Sequence, residues 1–201
     1  MIHPAAPGSG TPRPLFARSP LALPTGSESA AFDREAIENW GIPSRLLMEN
    51  AGRSAALVLD ALVPHTPICV LAGPGNNGGD GIVLARALLL SGRDVRVVIV
   101  GKREDPDPLL HGHSPALIRV DAEATADEWE ALDVALAECP VVVDALLGTG
   151  VRGSPRPPFD RILAELGARR ARGARVVALD LPSGVDADTG AAPGGVPGAD
   201  L

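Results

Sequence analysis

Five short apolar runs punctuate the chain: PICVLAG, DVRVVIV, ALIRV, PVVVDAL and ARVVALD. Each is apolar at nearly every position, and a strand of that kind needs cover on both faces, as in a parallel sheet. Helical patterns separate most of the runs, and a parallel pair requires a crossover of about a dozen residues or more. Such crossovers are right-handed, so the connecting helices can cover both sides of the sheet. The pattern predicts an α/β fold: a Rossmann-like three-layer α/β/α sandwich on a mainly parallel sheet.

Spacing between the runs supplies the helices. FDREAIENW reads as a short helix closed by Gly41. PSRLLMENAGRSAALVLDAL starts at Pro43, ends before Pro64 and Pro67, and offers Leu47, Ala51, Val58 and Leu62 as an apolar face. DGIVLARALLLSG, ADEWEALDVALAE and PPFDRILAELGARRARG read as further helices, the first stopped by Gly92. The connection GKREDPDPLLHGHSP carries no helical pattern. Residues 1–30, rich in Pro, Gly, Ser and Ala, read as a flexible extension, with ordered structure expected from about Ala31. Residues 31–201 form one domain, expected to be C-terminally shortened because GAAPGGVPGADL stops where another strand should begin.

Charge and hydropathy narrow the partners. The net charge of −7, with no cluster of Lys and Arg, argues against nucleic acid. No apolar run approaches the roughly 20 residues that span a bilayer, and the first residues lack the charged and apolar regions of a secretory signal. A cytoplasmic protein without membrane contact is expected. Cys69 and Cys139, each in or beside an apolar run, read as reduced core thiols.

Chemistry concentrates in three loops that follow the first, fourth and fifth runs: GPGNNGGDG, DALLGTGVRGS and DLPSGVDADTG. In a doubly wound sheet these meet beyond the carboxyl ends of the strands, where ligands bind. Gly73, Gly75 and Gly78 satisfy the dinucleotide pattern G-x-G-x-x-G. Asp80, however, is placed at the helix start, where it would repel a pyrophosphate, and Gly101, Lys102 and Arg103 stand where an acidic ribose ligand is usual. Asn76, Asn77 and Asp80 instead offer partners for hydroxyls, a carboxamide or a cation, or simply make a capping turn. The glycines, Thr149 and Arg152 of the second loop suit a phosphate, or make a flexible connection. Asp180 ends a strand and should face ligand, while Asp186 and Asp188 also read as turn caps. Asn77, Asp144, Asp180 and Ser183 are oxygen donors suited to a hard cation. His111 and His113 read as solvated.

In order and spacing, GIPSRLLMENAGR, AGPGNNGGDG, VVDALLGTGVRGSPRPPF and ALDLPSGVDADTG resemble the YjeF N-terminal domain, the NAD(P)H-hydrate epimerase family. The resemblance covers about residues 31–190. It implies an isomerase of nicotinamide nucleotide repair that interconverts the R and S epimers of NADHX and NADPHX, the hydrated forms of NADH and NADPH. An ADP- or ATP-dependent dehydratase, separate or fused, would then act on the S form. The resemblance further implies that Asn76, Asn77, Gly78, Gly79 and Asp80 contact the hydrate, together with Asp180. Gly148, Thr149, Gly150, Val151, Arg152, Gly153 and Ser154 would contact the nucleotide. Asn77, Asp144 and Ser183 would hold a potassium ion, and the protein would form a homodimer. On this basis Asp180 is the expected general acid/base, its pKa raised by partial burial. The chain departs from the family pattern in lacking a helix between strands two and three and a TFGxxKPG-like segment after the third loop. Two other readings remain: an NADP-dependent oxidoreductase with Lys102 or Arg103 near a 2′-phosphate, and a non-catalytic binding module on the same fold.

Overall fold

The computed structural model describes residues 24–113 and 115–201. The elements run in the order α1 (Gly26–Glu38), α2 (Ser44–Leu62), β1 (Ile68–Ala72), α3 (Asn76–Leu90), β2 (Val95–Val100), β3 (Ala116–Val120), α4 (Ala126–Glu138), β4 (Val141–Ala145), α5 (Phe159–Ala171) and β5 (Arg175–Ala178). The five strands pair in parallel in the order β3-β2-β1-β4-β5. Between β1 and β4 the winding reverses, and in open α/β sheets a crevice opens at the carboxyl ends of such strands. Among its described residues the connection after β2 holds one 3-10 turn, Pro108–Leu110, and no α-helix.

Side chains of β1 show why both faces are covered. Ile68, Val70 and Ala72 join Leu59, Ile82 and Leu88 of α2 and α3 in one core cluster. Cys69 and Leu71 point the other way, to Leu132, Leu136, Ile162 and Leu166 of α4 and α5. Cys69 and Cys139 are both free and buried on this second face. Burial pushes both thiols up, Cys139 to about 11, so neither is poised as a thiolate. No helix among the described residues is long and apolar enough to cross a membrane.

Three expectations change. The first concerns the N-terminal boundary. Helix α1 begins at Gly26, five residues before Ala31, because Thr25 and Glu28 form a reciprocal capping box. Residues 1–23 of the expected extension lie outside the described residues. The second concerns α2, which buries Gly52, Ala56 and Leu59 rather than the face carrying Leu47, Ala51, Val58 and Leu62. A Cβ on Gly52 would stand 2.6 Å from the Asp80 carbonyl oxygen and 2.6 Å from Val83 Cβ. Close crossing of α2 over α3 selects the small residues for the interface and leaves Leu57 exposed at 75% and Val58 at 43%.

The third concerns α3, which starts at Asn76, so Asp80 lies inside the helix rather than at its first residue. Gly78, Gly79 and Gly81 are therefore helical, and their role is proximity. A Cβ on Gly78 would fall 1.9 Å from the Gly73 carbonyl oxygen, and one on Gly81 would fall 2.6 Å from Ala145 Cβ. Any side chain there would push α3 off the loop and the sheet.

Candidate active site

A cleft of about 690 Å³ opens at the β1/β4 reversal. Its walls come from the start of α3, the loop after β4, the turn after β5, and α1. Asn76, Asn77, Asp80, Gly148, Thr149, Gly150, Val151 and Asp180, all singled out in the sequence, line it together. Gly153 and Ser154 are outside this lining, and Gly78 and Gly79 pack inside α3 behind it.

Asn77 sits in the first turn of α3 and is buried. Its Nδ2 donates to the Leu147 carbonyl at 3.1 Å, which aims Oδ1 inward. That oxygen is buried without a hydrogen-bond partner among the described residues, and an unmet buried acceptor is costly. Leu147 N–H donates to Ser183 Oγ at 2.8 Å, so Asn77 and Ser183 meet at one residue. Ser183 in turn anchors Asp144, the fourth residue of β4, which is 1% exposed. The carboxylate accepts from Ser183 Oγ at 2.6 Å, Ser183 N–H at 2.9 Å and Leu146 N–H at 3.2 Å. All three donors are neutral, and burial pushes the Asp144 pKa up against them.

These features pass a chemical test for a cation. A buried carboxylate without a cationic partner and an orphaned amide oxygen are both satisfied by one positive charge. Among the described residues no cluster of three or more His, Cys, Asp or Glu side chains is assembled for a metal. Asp144, the Asn77 amide oxygen and Ser183 make a set of one carboxylate with neutral oxygens, which fits a hard ion of low charge.

Asp180 lies two residues beyond the end of β5, past the Ala178 that pairs with Asp144, and has opposite surroundings. Its φ is +71°, and the turn around it closes by Leu181 N–H donating to the Leu179 carbonyl at 3.0 Å. A non-glycine residue in this region stores strain, typical of residues held for function. The turn presents the carboxylate to the cleft, where it accepts only a long bond from Thr149 N–H at 3.3 Å. Desolvation at the cleft wall raises its pKa, partly opposed by that bond. Asp80 faces the same space and is pushed up to about 7 by burial and by the charges of Asp180 and Asp33. Both carboxyl groups are biased toward holding a proton. Gly148 runs between the two sets: a Cβ there would stand 3.2 Å from both Asn77 Cβ and Asp180 Oδ2.

The second loop differs from the phosphate cradle read in the sequence. Arg152 is engaged with Asp188 at 2.6 Å, Asp186 at 3.4 Å and the Thr149 carbonyl of its own loop at 3.4 Å. Arg103 is equally occupied, donating to the carbonyls of the glycine loop and to Asp107. This removes the support for a 2′-phosphate contact by Arg103. The sequence reading also missed Ser29, Ala30 and Asp33 of α1, which close one side of the cleft. Helix α1 reaches it because Gly26 N–H donates to Asp188 Oδ1 at 2.8 Å. The signal was present in the Thr25–Glu28 capping box, inside a stretch dismissed on composition.

Known proteins place the cleft in context. A profile described as "YjeF-related protein N-terminus" matches residues 44–201. The chain is 42% identical over 193 residues to a bifunctional NAD(P)H-hydrate repair enzyme Nnr of Hyperthermus butylicus, covering 94% of this chain and 35% of the relative. It is 37% identical over 165 residues to an NAD(P)H-hydrate epimerase of Rhodopirellula baltica, covering 79% of this chain and 64% of the relative. The chain thus spans about a third of the length of the first relative and just under two thirds of the second. The crystal structure of yeast ynu0 superposes with a TM-score of 0.73 at 28% identity, covering 90% of this chain and 77% of that one.

Proposed function

Since this chain belongs to the family of YjeF-related protein N-termini, we propose that it is an NAD(P)H-hydrate epimerase, an isomerase acting on NADHX and NADPHX. The observation that carries the proposal is the cleft itself. Two carboxyl groups held toward their protonated forms, Asp80 and Asp180, face one space beside a buried oxygen set suited to a cation. The hydrate carries a hydroxyl on C6, next to the ring nitrogen. Protonated Asp180 gives its proton to that hydroxyl. The C–O bond then breaks, water leaves, and the nitrogen lone pair forms the C=N bond. Water adds to the other face of C6, the pair returns to nitrogen, and the excess proton goes back to the carboxylate. Atoms and charge balance, and no redox partner is needed.

Asn77, Asp144 and Ser183 would hold potassium, whose charge fixes the loops around the cleft. Asn76 and the backbone of Gly148 to Val151 would bind the hydrate. Arg152, Gly153 and Ser154 would reach the nucleotide only at the outer rim. The protein would act in the cytoplasm, as a homodimer, beside an ADP- or ATP-dependent hydrate dehydratase. The test is a coupled assay with R-enriched NADHX, potassium and excess S-specific dehydratase with its nucleotide. NADH absorbance should recover faster with the protein than without it. No acceleration from a folded sample overturns the proposal in favour of a binding module.

A further inference from the structure

The start of α3 carries Asn76, Asn77 and Asp80 into the cleft, yet the turn leading to it has no side-chain cap of its own. Gly75 is the N-cap residue and makes no side-chain hydrogen bond. One side of this turn rests on the loop after β4. Gly73 N–H donates to the Ala145 carbonyl at 3.0 Å, and a Cβ on Gly73 would lie 1.8 Å from the Leu146 carbonyl oxygen. The other side is held by one side chain. Arg103 Nη1 donates to the carbonyls of Gly73 at 3.1 Å, Pro74 at 3.2 Å and Gly75 at 3.1 Å. Its Nε donates to Asp107 at 2.7 Å. Asp107 is 4% exposed and its other oxygen accepts from Leu109 N–H at 2.9 Å, which fixes it in the 3-10 turn. Arg103 is absent from the cleft lining and approaches the turn from outside it.

We propose that Arg103, oriented by Asp107, is a positioning residue that clamps the Gly73–Gly75 turn and so sets where Asn77 and Asp80 stand in the cleft. Three consecutive carbonyls drawn to one guanidinium fix the peptide planes of the turn. The Gly75 carbonyl also accepts the first helical bond, from Gly79 N–H at 3.1 Å, whereas the Gly73 and Pro74 carbonyls precede the helix and are held by Arg103. The planar fork of Arg supplies directed donors and a second bond to Asp107 at once, which the point charge of Lys cannot reproduce. The catalytic consequence rests on the epimerase reading; the clamp itself does not.

The test compares Arg103→Ala, Arg103→Lys and Asp107→Asn with the parent protein by amide hydrogen exchange and by the coupled assay. In Arg103→Ala, exchange across residues 73–80 should rise about tenfold or more beyond any rise in β1 and β4 that follows from the general loss of stability when buried Asp107 loses its partner. The KM for NADHX should rise about tenfold with kcat falling less than threefold, the loss of charged hydrogen bonds that position rather than react. Arg103→Lys and Asp107→Asn should fall between parent and Ala. Unchanged exchange at 73–80, exchange raised equally at 73–80 and throughout the sheet, or faster local exchange with an unaltered KM would each overturn the proposal. Failure of the epimerase reading appears instead in the parent protein, as absence of turnover. The clamp is then judged by exchange alone.

Discussion

Asp144 and Asp180 are the same residue at the ends of neighbouring strands, and the fold makes them chemical opposites. Asp144 is sealed beneath the cleft with three neutral donors around it. Asp180 is pushed into the cleft by a left-handed turn and accepts one long bond. Burial raises the pKa of both. In Asp144 the remedy lies in its surroundings, through fixed donors and the cation proposed for the site. Asp180 lines the open cleft, where the proposed substrate would exchange a proton with it. A carboxylate's role here follows from what reaches it more than from how far its pKa has shifted.

The strongest way to break this contrast is Asp180→Asn. The epimerisation rate should fall about 10²–10⁴-fold, the usual contribution of a positioned acid or base, while the melting temperature holds. An unchanged rate in the coupled assay would move the proton transfer elsewhere. Asp144→Ala should act on folding instead. It strands the Ser183 Oγ, Ser183 N–H and Leu146 N–H groups in a buried site, a cost of about 2–4 kcal/mol by chemical denaturation. Replacing sodium or a bulky organic cation with potassium should stabilise the parent and leave this variant unmoved.

Asp80 sharpens the comparison through pH. Its folded pKa, about 7, lies above the ordinary 3.8, so the native state binds the proton more tightly than the unfolded chain. Its contribution is complete at low pH and is lost as pH rises through about 7. Asp80→Asn should flatten that part of the stability–pH curve and be the more stable form at pH 8, by about 1–2 kcal/mol once solvent screening is allowed for. A curve that falls with pH equally in both proteins would refute the assignment. The smallest effect belongs to Arg152→Ala. An exposed side chain paired with Asp188 and Asp186 should change stability by less than about 1 kcal/mol. The epimerisation rate should change less than about threefold. A tenfold rate loss would show that Arg152 leaves those partners for the nucleotide.

The layers of the fold were legible because they depend on local pattern. Runs such as CVLA and VVVD can be satisfied only between two covering layers. The site loops were legible because strand ends of a doubly wound sheet converge, and the family motifs fall on them. Helix α2 was misread because its larger residues suggested the wrong face. The buried face was chosen by how closely α3 passes Gly52, a distance that no periodicity contains. Arg103 was read as a candidate for a phosphate because its partners, three main-chain carbonyls about 30 residues away, leave no mark in the side-chain pattern.

By itself, the sequence determined a parallel α/β sandwich and three reactive loops at one edge of it. Hydrophobic period and turn chemistry act over a few residues and so are written in order along the chain. Tertiary structure alone decided that Gly78, Gly79 and Gly81 lie inside α3, that Asn77 Oδ1 is left without a partner among the described residues, and that Asp180 turns outward while Asp144 is sealed in. Those outcomes depend on tenths of an ångström between segments distant in the chain, where close packing and buried polar groups allow little tolerance.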